Sequence, residues 1–223
     1  MAKASGHVRG GGGGIKTGKV DFTSATKFSA QELETFKDAV FNQLSVIGID
    51  TSKVNLRVTD DGFTIYNDDN SIYIDRQFTD GGKKVYHAHF EITDSAKQGM
   101  GTAKKIIRAS MPLYEKIGAE RIELFASLDN GGYTWARMGF HASHGQALSA
   151  ISGIKDKTAR EAGYRAFDSY YKSHDISDSF PMAKLANNPK IGKHLAGTDW
   201  DGHLDLTNPF HTKYFYKYIG YKK

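Results

Sequence analysis

Between Val54 and Thr93 four short runs follow one another: "VNLRV" (54–58), "FTIYN" (63–67), "SIYIDRQF" (71–78) and "KKVYHAHFEIT" (83–93). They are rich in β-branched and aromatic residues, and "TDDG" and "TDGG" punctuate them as turns. Gaps this short suit hairpins, so the centre of the chain reads as an antiparallel meander. Helices frame it. "SAQE" at Ser29–Glu32 is a capping box, and Leu33, Phe36, Val40, Phe41 and Leu44 recur at helical spacing before Gly48 stops the run. Beyond the meander the pattern gives a helix from Thr102 to about Gly118, a strand "RIELFASL" (121–128) and the helix-like "DNGGYTWARMGF" (129–140). Helix, four strands, helix, strand and helix-like segment predict an α/β (α+β) fold, a mixed, mostly antiparallel sheet layered with helices.

The ends read differently. Gly10 to Gly14 form an unbroken glycine run, and Lys3, Arg9, Lys16, Lys19 and Lys27 stand against Asp21 alone in the first 27 residues. Little there can be buried, so residues 1–28 are expected to be a flexible basic arm. Most of the chain's net charge of +5 sits on that arm, which leaves the remainder close to neutral. A folded nucleic-acid-binding face would carry its basic residues itself. Cysteine is absent, which excludes disulfides, thiol nucleophiles and cysteine-ligated metals. No apolar run approaches the roughly 20 residues of a membrane helix, so a cytoplasmic protein without membrane partners is the expectation. After Phe140, "KTAREAGYRAFDSYYKSH" (157–174) looks helical, and the last residues are aromatic and basic. Residues 143–223 are expected to be a C-terminal helical extension packing on the domain or on a partner.

"SAKQGMGTAKKIIR" (95–108) joins the last strand of the meander to its helix. The first turn of a helix presents unpaired N–H groups and a partial positive charge. Glycine lets that backbone approach a bound anion. Lys104 and Lys105 in the first turn oppose the helix dipole, which fits a site for an anion. The spacing matches neither a Walker loop nor a dinucleotide fingerprint.

Strand, x-x-G-x-G turn, amphipathic helix, strand, then Asn130 and Gly139-Phe140, is an order that resembles the GNAT acyl-coenzyme A N-acyltransferases over residues 29–142. The resemblance implies that the backbone amides of Gly99, Met100, Gly101 and Thr102 hold the pyrophosphate of acetyl-CoA, with Lys97 or Gln98 as the candidate side chain in place of the family's Arg or Gln. Ala96 stands where the family has Arg or Gln. It further implies that the preceding strand splays to admit the pantetheine arm, with Phe90 and Ile92 as main-chain contacts, and that Asn130 either touches the coenzyme arm or caps a helix. "GGYTWARMGF" with "IGKHLAGTDWDGHLDL" also resembles a GNAT-like module of phage and prophage proteins. That likeness implies a host-cytoplasm or virion setting, with the arm engaging a phage structural partner.

Acyl transfer to an amine needs a base for the ammonium and an acid for the leaving thiolate. Alternation along "VYHAHFEI" puts His87, His89 and Glu91 on one face, which makes Glu91 or His89 the candidate base. Tyr133 is the candidate acid, displaced from the slot that Trp135 occupies. No metal ligand set has convincing spacing. Three functions stay open: an acetyl-CoA-dependent N-acyltransferase acting on an unidentified amine, a non-catalytic GNAT-like assembly or binding module, and nucleic-acid binding through the basic termini.

Overall fold

A computed structural model describes residues 17–222, so most of the expected arm, residues 1–16, lies outside the described residues. The capping box forms as read. Ser29 Oγ accepts from the Glu32 amide at 3.2 Å, and Glu32 Oε2 accepts from the Ser29 amide at 2.7 Å. These bonds start α1 (Ala30–Val46), whose Leu33, Phe36, Val40, Phe41 and Leu44 are buried. The meander follows as β2 (Val54–Thr59), β3 (Gly62–Asn67), β4 (Ile72–Thr79) and β5 (Lys84–Ile92). α2 (Thr102–Lys116) returns the chain to β6 (Arg121–Ala126), which lies parallel to β5. α3 (Leu128–Met138) comes next.

The sheet is larger than the meander suggests. β1 (Val20–Ser24) pairs parallel with β2, inside the segment expected to be an arm. β7 (His141–Ala142) ends the segment before the extension, and the extension supplies α4 (His144–Ser152), α5 (Lys157–Tyr171), β8 (Phe180–Pro181), α6 (Ala183–Ala186), β9 (Trp200–Asp205) and α7 (Pro209–Ile219). Among the described residues one sheet runs β1-β2-β3-β4-β5-β6-β9-β7-β8, antiparallel except at β1–β2 and β5–β6. The sheet runs across 28/29 and 142/143, so strands on either side of both positions share it. The extension is also not helical alone, because β9 hydrogen-bonds along the whole of β6.

α1 and α2 pack side by side, tied by Lys116 Nζ to Glu32 Oε1 at 3.3 Å. They cover the face that carries Leu56, Ile65, Ile74 and Leu124, all buried. α7 packs on α2 and α3 and buries Phe215 and Ile219. This aromatic C-terminal helix docks on its own chain. Two glycines let the extension lie close against α3. At Gly132 a Cβ would stand 2.4 Å from the Leu195 carbonyl oxygen, so α3 lies directly against the loop before β9. Gly139 ends α3 at φ 95°, and a Cβ there would reach 2.5 Å from the Tyr214 ring.

Gly48 also has positive φ, at +75°, but a Cβ there meets open space. Gly48→Ala is expected to cost only the left-handed strain of about 1–2 kcal/mol. Gly139→Ala adds a steric clash and is expected to cost about 1–3 kcal/mol more. Urea denaturation of the two variants checks this, and equal losses would contradict it.

Candidate functional site

β5 departs from regular alternation. Against β4 the register runs Ile72–Ile92, Tyr73–Glu91, Ile74–Phe90 and Asp75–His89, then shifts to Gln77–Tyr86. Two residues of β5, His87 and Ala88, thus oppose Arg76 alone, which is a β-bulge. The bulge moves every later side chain to the other face. His87 is buried beside Tyr114 and Trp135, and Phe90 also meets Trp135 edge-on at 6.3 Å. His89 and Glu91 turn to the opposite face, where Tyr73 meets the His89 ring at 5.2 Å. The expected trio of His87, His89 and Glu91 on one face is corrected accordingly: His87 belongs to the core.

The remaining pair is held together. His89 Nε2 and Glu91 Oε2 are 3.0 Å apart, with both side chains partly exposed. A carboxylate only accepts, so the proton sits on Nε2 and the lone pair on Nδ1. That leaves Nδ1 free to take a proton.

β5 and β6 part just beyond the bulge. Their ladder pairs Lys84–Arg121 through His87–Leu124 and stops there, while β5 runs on to Ile92 and β6 to Ala126. Peptide groups alternate in direction along a strand. The Thr93 amide donates to the Ser71 carbonyl on the β4 side at 3.0 Å. The Ile92 carbonyl therefore points away from β4, and it accepts from Gln98 Nε2 at 2.8 Å. By the same alternation the Phe90 and Ile92 amides face the gap that β6 has left.

The gap leads into the glycine turn. A short 3-10 turn, Ser95–Lys97, is capped by Asp94, whose carboxylate also holds Lys97 Nζ at 3.0 Å. Gly99 and Gly101 take φ values of +73° and +75°, with open space where a Cβ would be, and Met100 between them is exposed. Gly101 is the N-cap of α2 and offers no side-chain cap. Thr102 is 5% exposed, and its buried Oγ1 has no hydrogen-bond partner. Unpaired amides, a positive helix end and an orphaned hydroxyl together suit an anion. Of the residues nominated from sequence, Gly99, Gly101 and Thr102 shape this cradle. Lys97 and Gln98 are spent on bracing it.

Tyr133 is not brought to His89. Its hydroxyl accepts from Arg137 at 3.4 Å, and its ring lies against Gly192. Trp135, two positions on, is the α3 residue that reaches β5. Asn130 is exposed in the first turn of α3, where Ser127 holds the N-cap position.

Sequence reasoning missed the polar group beneath the bulge. Arg76 is 1% exposed and donates through Nη1 to the carbonyls of Asp75 and His89, at 2.7 and 2.6 Å. Its Nη2 has no partner. The Tyr114 hydroxyl lies 3.0 Å from His87 Nε2, and burial pushes its pKa up to about 12. Burial, reinforced by the Arg76 charge, holds the His87 pKa well below its usual value. The only sequence signal was an arginine in the apolar register of "IYIDRQF". A second histidine group joins β7 to the extension. The His141 and His211 rings stack at 3.7 Å with His203 nearby, and burial lowers His141 to about 3 and His203 to about 4.

No protein-family model matches the chain, and no curated protein is similar to it. Among solved structures, a nourseothricin acetyltransferase overlaps at 16% identity and a TM-score of 0.29, over 37% of this chain and 52% of that one. The chain thus spans about half the length of that acetyltransferase. At that score the overlap defines neither a shared fold nor a shared activity. No described helix is long and apolar enough to cross a membrane.

The depressed histidines make stability depend on pH. In the unfolded chain each histidine titrates near 6.5. Below that pH the unfolded state binds protons that the folded state refuses, so stability present above about 6.5 is lost on acidification. We expect stability to fall steadily from pH 6.5 towards 4. We also expect the His87 ring to remain neutral at pH 6.5, with its titration displaced well below that value. A His87 midpoint near 6.5 by NMR would contradict its neutral burial.

Proposed function

We propose that the chain is a coenzyme A-dependent N-acyltransferase. One observation carries the reading: the β5–β6 ladder ends at His87–Leu124, and the gap it opens runs from the Phe90 and Ile92 amides to the glycine turn of α2. A linear acyl thioester with a pyrophosphate at its far end has that shape. The α2 amides around Gly99, Gly101 and Thr102 would hold the pyrophosphate. Phe90 and Ile92 would donate N–H bonds to the acyl carbonyl oxygen, where negative charge develops on attack. His89, steered by Glu91, would take the proton of the incoming ammonium through Nδ1. Acetyl-CoA supplies the activated acyl group, and the acceptor is an amine.

A second reading is a module that binds the coenzyme without turnover. It is favoured by Tyr133, which faces Arg137 and Gly192 rather than the gap and so leaves the thiolate without the expected acid.

Calorimetric titration of acetyl-CoA into the wild type and into Gly101→Glu tests the binding step common to both. The wild type is expected to bind in the micromolar range. The variant places a carboxylate at the cradle and is expected to lose at least tenfold in affinity. A folded wild type that binds no acetyl-CoA would overturn both readings. Turnover in a screen of amine acceptors would separate them.

A further inference from the structure

Two cations and three tyrosines meet where α2, α3 and α7 converge. Lys104 Nζ lies 5.5 Å from the centre of the Tyr218 ring, and Arg137 Cζ lies 5.9 Å from the same ring. Arg137 also sits 5.6 Å from the Tyr133 ring. Tyr214 runs nearly parallel to Tyr218, with ring centres 6.5 Å apart and an interplanar angle of 16°. Other lysines near α2 have acids: Lys97 pairs with Asp94, and Lys116 with Glu32. Lys104 and Arg137 have none within ion-pair distance among the described residues. Two like charges converging on one aromatic ring, with no carboxylate between them, repel one another until an anion arrives.

The cluster is fixed in place. The Tyr214 hydroxyl donates to the Arg137 carbonyl at 3.2 Å and accepts from Asn187 Nδ2 at 2.9 Å. The Tyr214 ring also fills the space that only glycine leaves at position 139. Lys104 belongs to the first turn of α2, so the cluster borders the glycine cradle.

We propose that this cluster is a second anion subsite, which receives the 3′-phosphate and adenine of coenzyme A. The inference rests on the acyltransferase reading and adds the part of the ligand beyond the pyrophosphate. Lys104 and Arg137 contact the phosphate monoester, Arg137 through a planar fork suited to phosphate oxygens. Tyr218 and Tyr214 offer aromatic surface to the adenine ring. The C-terminal extension thereby becomes part of the ligand site, because α7 carries both tyrosines.

The test compares coenzyme A with dephospho-coenzyme A, which lacks only the 3′-phosphate, by calorimetry on the wild-type chain. The wild type is expected to bind dephospho-coenzyme A at least tenfold more weakly. The preference should shrink as salt is raised. In the Lys104→Gln/Arg137→Gln double variant the two ligands should bind alike, at the weaker level. Equal binding of both ligands by the wild type would overturn the subsite and leave the acyltransferase reading standing. Binding of neither would overturn that reading and the subsite with it. A single-stranded oligonucleotide that binds as tightly as coenzyme A and displaces it would also overturn the subsite, assigning the cluster to nucleic acid.

Discussion

The Arg76 guanidinium is wholly buried with no carboxylate at ion-pair distance among the described residues, and it is held instead by the carbonyls of Asp75 and His89. Burying a charge in this way is costly unless its donors are met. Here the β5 bulge supplies an acceptor. The extra residue opposite Arg76 brings the His89 carbonyl to Nη1, and the same irregularity re-aims β5. Three consequences follow from that one contact. His87 is committed to the core, where it stays neutral beside the guanidinium. His89 and Glu91 reach the other face as a bonded pair. The strand leaves β6, and two backbone amides are freed to face the gap.

The layers around the bulge serve the same end. α1 and α2 close one side of the sheet, and the α2 N-terminus is carried to the end of β5 by the braced turn of Asp94, Lys97 and Gln98. β9 pairs along all six residues of β6 on the edge that faces away from β5. The extension thereby closes that edge of β6, which would otherwise be open to the addition of another strand. Gly132 and Gly139 let the extension press close to α3, and that approach places the α7 tyrosines beside Lys104 and Arg137.

Much of this was legible in the sequence. The capping box, the turns of the meander and the glycine turn each act through neighbours a few residues apart, and each formed within a residue or two of its expected bounds. β9 was not expected although "WDGHLD" alternates in step with its burial, with Trp200, Gly202 and Leu204 on the buried side; the glycine in that face and the acidic and histidine residues between make the run too polar to read as a strand. β1 has only a half-buried edge to announce it. The bulge was illegible for a deeper reason. It depends on Arg76, which is on a different strand, and strict alternation along "VYHAHFEI" then assigns His87 to the wrong face. Tyr133 is placed away from β5 for a related reason, because a helix separates positions 133 and 135 by more than half a turn and it is Trp135 that meets His87 and Phe90.

The central claim is that the Phe90 and Ile92 amides stand unpaired in the gap and are engaged only when an acyl-coenzyme A enters. Residue-resolved hydrogen exchange, with and without saturating acetyl-CoA, measures this directly. The Glu91 amide, on the β4 side of the strand, should be protected in both states. Phe90 and Ile92 should exchange quickly in the free protein and slow at least tenfold on addition of the ligand. Strong protection of both amides in the free protein, or no change on ligand addition, would contradict the account.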